Sequence, residues 1–533
     1  MAGRVISELI QHIEARQNFV LSGGAGSGKT HSLVEVLNYI FSNHPQSKVA
    51  CITFTNVAAD EIKKRTPYKN LWVSTIHEFL WDNIKGFQKN LKTSLIKLLA
   101  DENIDDRLKI KCPDDLTIET LRDIGQIQYK EFYVLEEGII SHDHVLKLAH
   151  HMFVTYPLLR KILSDKFDYI FIDEYQDTEK IVIEIFLEHL SENEKPIVGL
   201  FGDSMQSIYD NRVGNLYSYV TDGSVKEVVK QDNNRCSISV INLLNRIRDD
   251  IKQAPTNNNV QGSARFIFSC SGNLSMTGLQ SLEIFNNWDF EQNGETKQLF
   301  LTHKLIANEL RFPTLINLYS NNDRLLKPEN HDPLIEHLYR IHELLQAYND
   351  RKFNFFINKT DYVFSRAEDK KRLNESIKRL QEAQEKTIKD VLTIAAEIQL
   401  VEESNRFKKF KVNQEKQDHL EAVLSVSYRE FTSVFSYINQ FTPFSTQHNI
   451  KGDEFKNVFV ALDNGNWSKY NFKYLFEGTG SESVRERTKK LFYVCCSRAK
   501  ENLVVYYSKP SDASIQQAKE WFGEENVIEV GLS

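Results

Sequence analysis

Short apolar runs ending in glycine or acidic residues recur along the chain, separated by stretches whose apolar positions fall at helical intervals. In the N-terminal half these runs are Asn18 to Leu21, Phe167 to Ile172 and Pro196 to Phe201; beyond them come Ala264 to Phe268, Leu299 to Thr302, Asn457 to Leu462 and Leu503 to Tyr507. A run that is apolar throughout predicts a strand covered on both faces, and strands alternating with helices predict an α/β fold with mainly parallel sheets. Two such cores are expected. The first takes residues 1–80 and 145–235, interrupted by an inserted subdomain at 81–144; the second takes 236–310 and 441–533, split by an insertion at 311–440. Within the latter, residues 361–420 are rich in Lys, Glu, Arg and Gln, and Leu373, Ile377 and Leu380 stand at helical spacing, which predicts a charged helical arm.

Composition narrows the class. A chain of 533 residues, 41% of them apolar, is too long for one core. Neither a signal-peptide pattern nor a long uncharged apolar stretch occurs, so a cytoplasmic protein without a membrane partner is expected. The six cysteines form no CxxC pair, which argues for reduced thiols rather than a zinc ribbon or an iron–sulfur cluster. A net charge of -7 speaks against nucleic-acid binding over the whole surface and confines any such binding to a local channel.

The strongest chemical signal follows the first apolar run. Gly23-Gly24-Ala25-Gly26-Ser27-Gly28-Lys29-Thr30 leads into a helical pattern that begins near Ser32. This is a phosphate-binding loop in its required strand-to-helix context. Glycines let backbone N–H groups curl around phosphates, Lys29 can reach the β and γ oxygens, and the Thr30 hydroxyl can ligate Mg²⁺. ATP or GTP is the expected ligand, with ATP as substrate and Mg²⁺ as cofactor.

A second strand, Phe167 to Ile172, delivers Asp173-Glu174-Tyr175-Gln176-Asp177. An Asp there can hold Mg²⁺, and the following Glu can orient and deprotonate a water, which implies hydrolysis rather than phosphoryl transfer. Pro196 to Phe201 in turn delivers Gly202-Asp203-Ser204-Met205-Gln206-Ser207-Ile208-Tyr209, where the Gln206 amide can touch a γ-phosphate and a polar neighbour together.

These strings resemble superfamily 1 helicases of the UvrD, Rep and PcrA group, whose acidic motif reads DEYQD and whose third motif reads GDxxQSIY. Further motifs stand in the family's order: Thr53-Phe54-Thr55-Asn56, Ser74-Thr75-Ile76-His77-Glu78-Phe79, Asn233-Asn234-Arg235-Cys236-Ser237, Thr446 to Phe455 and Leu491 to Lys500. The resemblance implies two RecA-like P-loop NTPase cores with mainly helical inserted subdomains and ATP bound between the cores. By it, Arg235 and Arg498 clamp the γ-phosphate from the second core as arginine fingers, and Glu454 accepts a hydrogen bond from the ribose. It also implies that Phe54, Asn56, Thr75, His77, Arg212, Thr446 and His448 line a single-strand path.

The chain departs from the family at three places. Asn234 replaces the aromatic residue that stacks on adenine, and Asn211 replaces the tryptophan that serves as a base platform after the third motif. Neither Gln11 nor Gln17 stands at the family's usual distance from the phosphate loop. Loss of one stacking ring forfeits about 1–3 kcal/mol of single-strand binding unless another ring substitutes.

Two functions compete. One is a helicase or translocase on single-stranded or tailed DNA, 3′ to 5′ by family analogy. The other is a nucleotide-gated regulatory subunit of a nuclease-containing complex, as the resemblance to compact UvrD-like subunits of bacterial anti-phage systems such as Gabija implies. No carboxylate cluster with a lysine follows Lys500, so any nuclease is expected on a partner subunit.

Overall fold

A computed structural model describes residues 2–111, 116–130, 132–190, 196–209, 212–270, 276–290, 294–363, 365–440, 442–464 and 467–531. The chain divides into two compact units, the first Met1–Ser263 with Glu486–Glu501, the second Ala264–Arg485 with Asn502–Ser533. Residues 486–501, which the sequence placed with the second core, pack with the first. The reason is burial: Leu491, Phe492, Tyr493, Val494, Cys495 and Cys496 are all solvent-inaccessible.

The first unit is built on a sheet of six strands: β1 (Phe19–Gly23), β2 (Val49–Thr53), β3 (Leu71–Thr75), β4 (Tyr169–Asp173), β5 (Ile197–Gly202) and β6 (Lys226–Lys230). Their order is β3-β2-β4-β5-β1-β6, and every neighbouring pair is parallel. Alternate residues of β1 serve opposite faces. Phe19 and Leu21 join a core with Leu33, Leu37, Cys51, Phe171 and Phe201, whereas Val20 joins Ile52, Phe79, Ile170, Ile172 and Leu200. Both faces are therefore covered, which is why the strands read as continuous apolar runs.

The second core cluster continues into the helices Gln88–Ala100 and His142–Thr155 of the 81–144 region and its sequel. Parallel order brings the C-terminal ends of β1, β4 and β5 side by side, and the loops leaving those ends carry the chemistry. Such strand ends are where open α/β sheets bind ligands.

The second unit also carries a six-stranded sheet: β7 (Ser263–Ser269), β8 (Thr296–Phe300), β9 (Phe444–Thr446), β10 (Phe455–Leu462), β11 (Ala499–Ser508) and β12 (Val527–Glu529). The order is β9-β8-β10-β11-β7-β12. β8 begins at Thr296, ahead of the expected Leu299, because Thr296 and Gln298 are also buried and pair with Asn457 and Phe459 of β10.

Helices fill the segment between β8 and β9, among them Pro333–Asn349, Ala367–Ala383, Ile388–Glu397 and Tyr428–Ile438. Leu373, Ile377 and Leu380 point into a core shared with Leu338, Leu345, Val391 and Phe431. Asp332 caps its helix by accepting from Leu334 and Ile335 N–H, and Thr387 with Asp390 forms a reciprocal capping box. The charged arm is thus a packed helical subdomain with a polar outer face. No helix among the described residues is long and apolar enough to cross a membrane.

Candidate functional site

The loop after β1 turns through left-handed backbone at Gly26 (φ 75°) and Gly28 (φ 77°), and the helix Lys29–Asn43 starts at once. It begins three residues before Ser32 because the glycine at its N-cap supplies the left-handed turn. Lys29 is buried, and its Nζ donates to Gly23 O at 3.0 Å and Gly24 O at 3.3 Å. The Thr30 hydroxyl donates to Asp173 Oδ2 at 3.0 Å. Ser27 Oγ is buried without a protein hydrogen-bond partner.

Asp173 ends β4, and burial together with the adjacent Glu174 raises its carboxyl above the ordinary range. Glu174 itself adopts left-handed backbone at φ 53°, a strained state for a residue with a side chain, costing about 1–3 kcal/mol. Gln176 Nε2 donates to Glu174 Oε2 at 2.5 Å, and Gln176 Oε1 accepts from Asp203 N at 3.0 Å. A side chain at Gly202 would collide with Gln176, its Cβ lying 2.3 Å from Oε1, so glycine there lets the amide cross between the two strand ends.

The donor set fits a magnesium nucleotide. Thr30 and Asp173 present adjacent hard oxygens, the preference of Mg²⁺, and a carboxylate whose charge is disfavoured by burial and by Glu174 is one that a bound cation would stabilise. Among the described residues no group of three or more His, Cys, Asp or Glu side chains is arranged to hold a metal ion by itself, so phosphate oxygens and water would complete the shell begun by Thr30 and Asp173.

Gln206 Nε2 donates to Asp203 Oδ2 at 3.0 Å, and its Oε1 accepts from Arg498 at 3.2 Å. Arg498 is almost wholly buried, and burial reinforced by neighbouring Arg235 lowers its guanidinium to about 10. Arg235 follows a loop in which Asn233 Nδ2 donates to Ala25 O at 3.0 Å and Asn234 N donates to Gly26 O at 2.9 Å. Both arginines therefore lie in the unit that holds the phosphate loop.

Three participants were not singled out from sequence. Gln253 Nε2 donates to Ala25 O at 3.0 Å, and Arg248, fully buried, pairs with Asp203 at 3.1 Å and Asp250 at 2.8 Å. Tyr493, inside a motif already recognised, accepts from Ala25 N at 3.1 Å. Arg248 and Gln253 come from a helix end and a turn with no motif, so only three-dimensional proximity reveals them.

The expected single-strand residues fall in both units. In the first, Phe54 is 38% exposed and stacks on Tyr209, ring centroids 6.3 Å apart at 18°. Asn56 is exposed at the start of the helix Asn56–Arg65. Thr75 caps the helix Ile76–Ile84 through Glu78, and Arg212 pairs with Glu179 at 3.0 Å. His77 faces His142, and burial, then His142 and Arg212, lower its imidazole to about 4.

In the second unit, Thr446 is buried and accepts from Asn449 N at 3.2 Å, while Glu454 is exposed just before β10. His448 bonds Tyr470 OH at 2.7 Å and packs against Trp467, which is 37% exposed. Trp467 and Tyr470 form a ring cluster that sequence reasoning missed, since neither belongs to a motif recognised there. Asn211 lies outside the described residues, as does Cys112.

A glycine loop on a strand-to-helix turn, acidic groups at the neighbouring strand end and a parallel sheet covered on both faces define a P-loop NTPase-type α/β fold with helical insertions, as in RecA-like helicase cores. A family model described as an AAA domain matches residues 7–212. The Gabija protein GajB of Bacillus cereus (strain HuB5-5) is 26% identical, with 97% of this chain and 97% of that protein covered. The ATP-dependent DNA helicase PcrA of Staphylococcus epidermidis is 27% identical over 43% of this chain and 37% of its own length, and that of Staphylococcus aureus 25% identical over 45% and 40%. The chain is thus related by sequence to the Gabija protein GajB and to the UvrD/PcrA-like helicases.

Proposed function

We propose that this chain is an ATP-hydrolysing motor subunit that acts on single-stranded or tailed DNA, and that its nucleotide cycle gates a partner nuclease in an anti-phage complex. The observation that carries hydrolysis is the meeting, within one compact unit, of Lys29, Thr30, Asp173, Glu174 and Gln206 with the buried guanidinium of Arg498. Lys29 binds the β and γ phosphates once released from the Gly23 and Gly24 carbonyls. Gly23 to Thr30 supply the amide cradle. Thr30 and Asp173 hold Mg²⁺, which when bound offsets phosphate charge.

Glu174 orients and deprotonates the attacking water, and its strained backbone with the Gln176 contact fixes its direction. Arg235 and Arg498 stabilise charge developing on the γ-phosphate, and Gln206 reports on it. Glu454 binds the ribose.

Phe54, Asn56, Thr75, His77, Arg212, Thr446 and His448 line the DNA path, where exposed rings suit base stacking and polar groups suit the backbone. Tyr209, stacked on Phe54 in the first unit, stands in for the missing tryptophan, and Trp467 beside His448 offers a further ring in the second. Translocation runs 3′ to 5′.

The gating role is supported better than free-standing unwinding. The match that runs from end to end is to a Gabija protein, whereas matches to PcrA cover under half of either chain. The test measures phosphate release with and without single-stranded DNA, then unwinding of tailed duplexes of each polarity, and then nuclease activity of the partner with and without ATP. DNA-stimulated hydrolysis with weak unwinding by the lone chain is expected. Strong processive unwinding without a partner would overturn the gating reading, and absence of hydrolysis under every condition would overturn the motor.

A further inference from the structure

Tyr493, Arg248 and Asp203 form a closed polar core beneath the phosphate loop. The Tyr493 hydroxyl uses all its hydrogen-bonding capacity: it accepts from Ala25 N at 3.1 Å and from Arg248 at 2.7 Å, and donates to Asp203 Oδ2 at 3.3 Å. Arg248 spreads its fork over Asp203 Oδ1 at 3.1 Å and Asp250 at 2.8 and 3.0 Å, and its guanidinium carbon lies 5.1 Å from the Tyr493 ring centre. Burial opposes that charge, but Asp203, Tyr493 and Asp250 outweigh it and raise the guanidinium further. Asp203 also accepts from Met205 N at 3.1 Å and from Gln206 Nε2 at 3.0 Å.

We propose that Arg248 and Tyr493 are positioning residues for γ-phosphate recognition, locking Asp203, and through it Gln206 and Arg498, to the backbone amide of Ala25. This rests on the reading of the site as an ATP hydrolase. The two ends of the network are the groups that a nucleotide would meet, an amide of the phosphate loop and the Gln206–Arg498 pair. Gln206 is fixed at both ends of its amide, Nε2 on Asp203 and Oε1 on Arg498. An amide that turns toward a phosphate breaks both contacts at once, so the triphosphate state is felt by Asp203 and passed to Tyr493 and the loop. Asp203 N–H reaches Glu174 by way of Gln176, which puts the water-activating group on the same network.

A role confined to holding the fold predicts something different. Replacing both partners of a buried ion pair by apolar groups often costs no stability, whereas removing one strands the other, so a role confined to the fold makes every loss follow melting temperature and gives no reason for the hydroxyl to take up a phosphate-loop amide. The hydrogen bonds of Tyr493 and Arg248 run to Ala25, Asp203, Asp250 and each other, so both act through other groups.

Tyr493→Phe deletes one oxygen and keeps the ring beside Arg248. Arg248→Lys keeps the charge and loses the fork, and Arg248→Met loses both. The readouts are kcat and KM for ATP, equilibrium binding of ADP and of a non-hydrolysable ATP analogue, and thermal melting. Tyr493→Phe should lower kcat about ten- to hundredfold with KM nearly unchanged. It should also shrink the preference for the triphosphate analogue over ADP by a similar factor, at a melting temperature close to the parent's. Arg248→Lys should fall between the parent and Arg248→Met. Unchanged kcat and unchanged triphosphate preference in Tyr493→Phe would overturn the proposal, as would losses that merely track melting temperature and ADP affinity. A parent that binds nucleotide without turnover would sink the hydrolase reading alone, because the triphosphate preference still decides the role of Tyr493.

Discussion

Replacing Glu174 by Gln separates water activation from nucleotide binding. The new side chain has the same shape, and its carbonyl can still accept from Gln176 Nε2, which meets the carboxylate at 2.5 Å. None of the contacts of Lys29 with Gly23 and Gly24, or of Thr30 with Asp173, involves Glu174, so ATP affinity should stay within about threefold of the parent. What is lost is a base. General-base catalysis contributes roughly 10²- to 10⁴-fold, or about 2.7 to 5.4 kcal/mol of barrier, and turnover should fall by that factor. Burial and then Glu174 raise the Asp173 carboxyl, so removing the second charge relieves repulsion, and the melting temperature should equal or exceed the parent's. Phosphate release and titration with a fluorescent ATP analogue read the two quantities separately. Turnover within tenfold of the parent at saturating ATP would show that another group activates the water.

Arg498→Ala should cut turnover by about 10²- to 10⁵-fold while weakening nucleotide binding less than Lys29→Ala, measured by the same pair of assays; normal hydrolysis would remove Arg498 from the site. Trp467→Ala should weaken single-stranded DNA binding by about 1–3 kcal/mol in fluorescence anisotropy, and binding by the parent should fall steeply between low and physiological salt; salt-independent affinity would point away from phosphate contacts. His337 and His342 are buried in one helix, and burial lowers both imidazoles to about 4. Their folded values lie below the unfolded value near 6.5, so the stability they supply is full above that value and drains as pH falls toward 4. Melting of the parent should drop on acidification through this window by an amount on the order of several kcal/mol, and a His342→Phe variant should show a shallower pH slope.

What could be read from the sequence was contiguous. The phosphate loop needs its glycines, lysine and threonine in one stretch, and the acidic strand end needs Asp173 beside Glu174, so local spacing reveals both. Two sheets and a helical arm with Leu373, Ile377 and Leu380 inside follow from periodicity for the same reason. The partners that tie these pieces together leave no local trace. Arg248 stands at the end of Asn245-Arg246-Ile247-Arg248, where it reads as a solvated helix charge, and only Asp203 and Tyr493 from two distant stretches, joined by Asp250 two residues on, explain its complete burial. Trp467 was invisible for a similar cause, since its ring is defined by His448 and Tyr470.

The return of residues 486–501 to the first unit bears on how the protein is made. Everything in that unit up to Ser263 emerges from the ribosome before residues 264–485 have been joined. At about 5–20 residues per second, the interval before Tyr493 and Arg498 appear is some 10 to 50 s. During it the nascent unit has its phosphate loop but neither the phenol that takes the Ala25 amide nor the guanidinium that meets Gln206. Chains that stop early, by ribosome stalling within the helical insertion, therefore carry a P-loop and Arg235 without Arg498 or Tyr493. On the roles proposed above for Arg498 and Tyr493, this discontinuity would reserve turnover for molecules whose synthesis has run through residue 501.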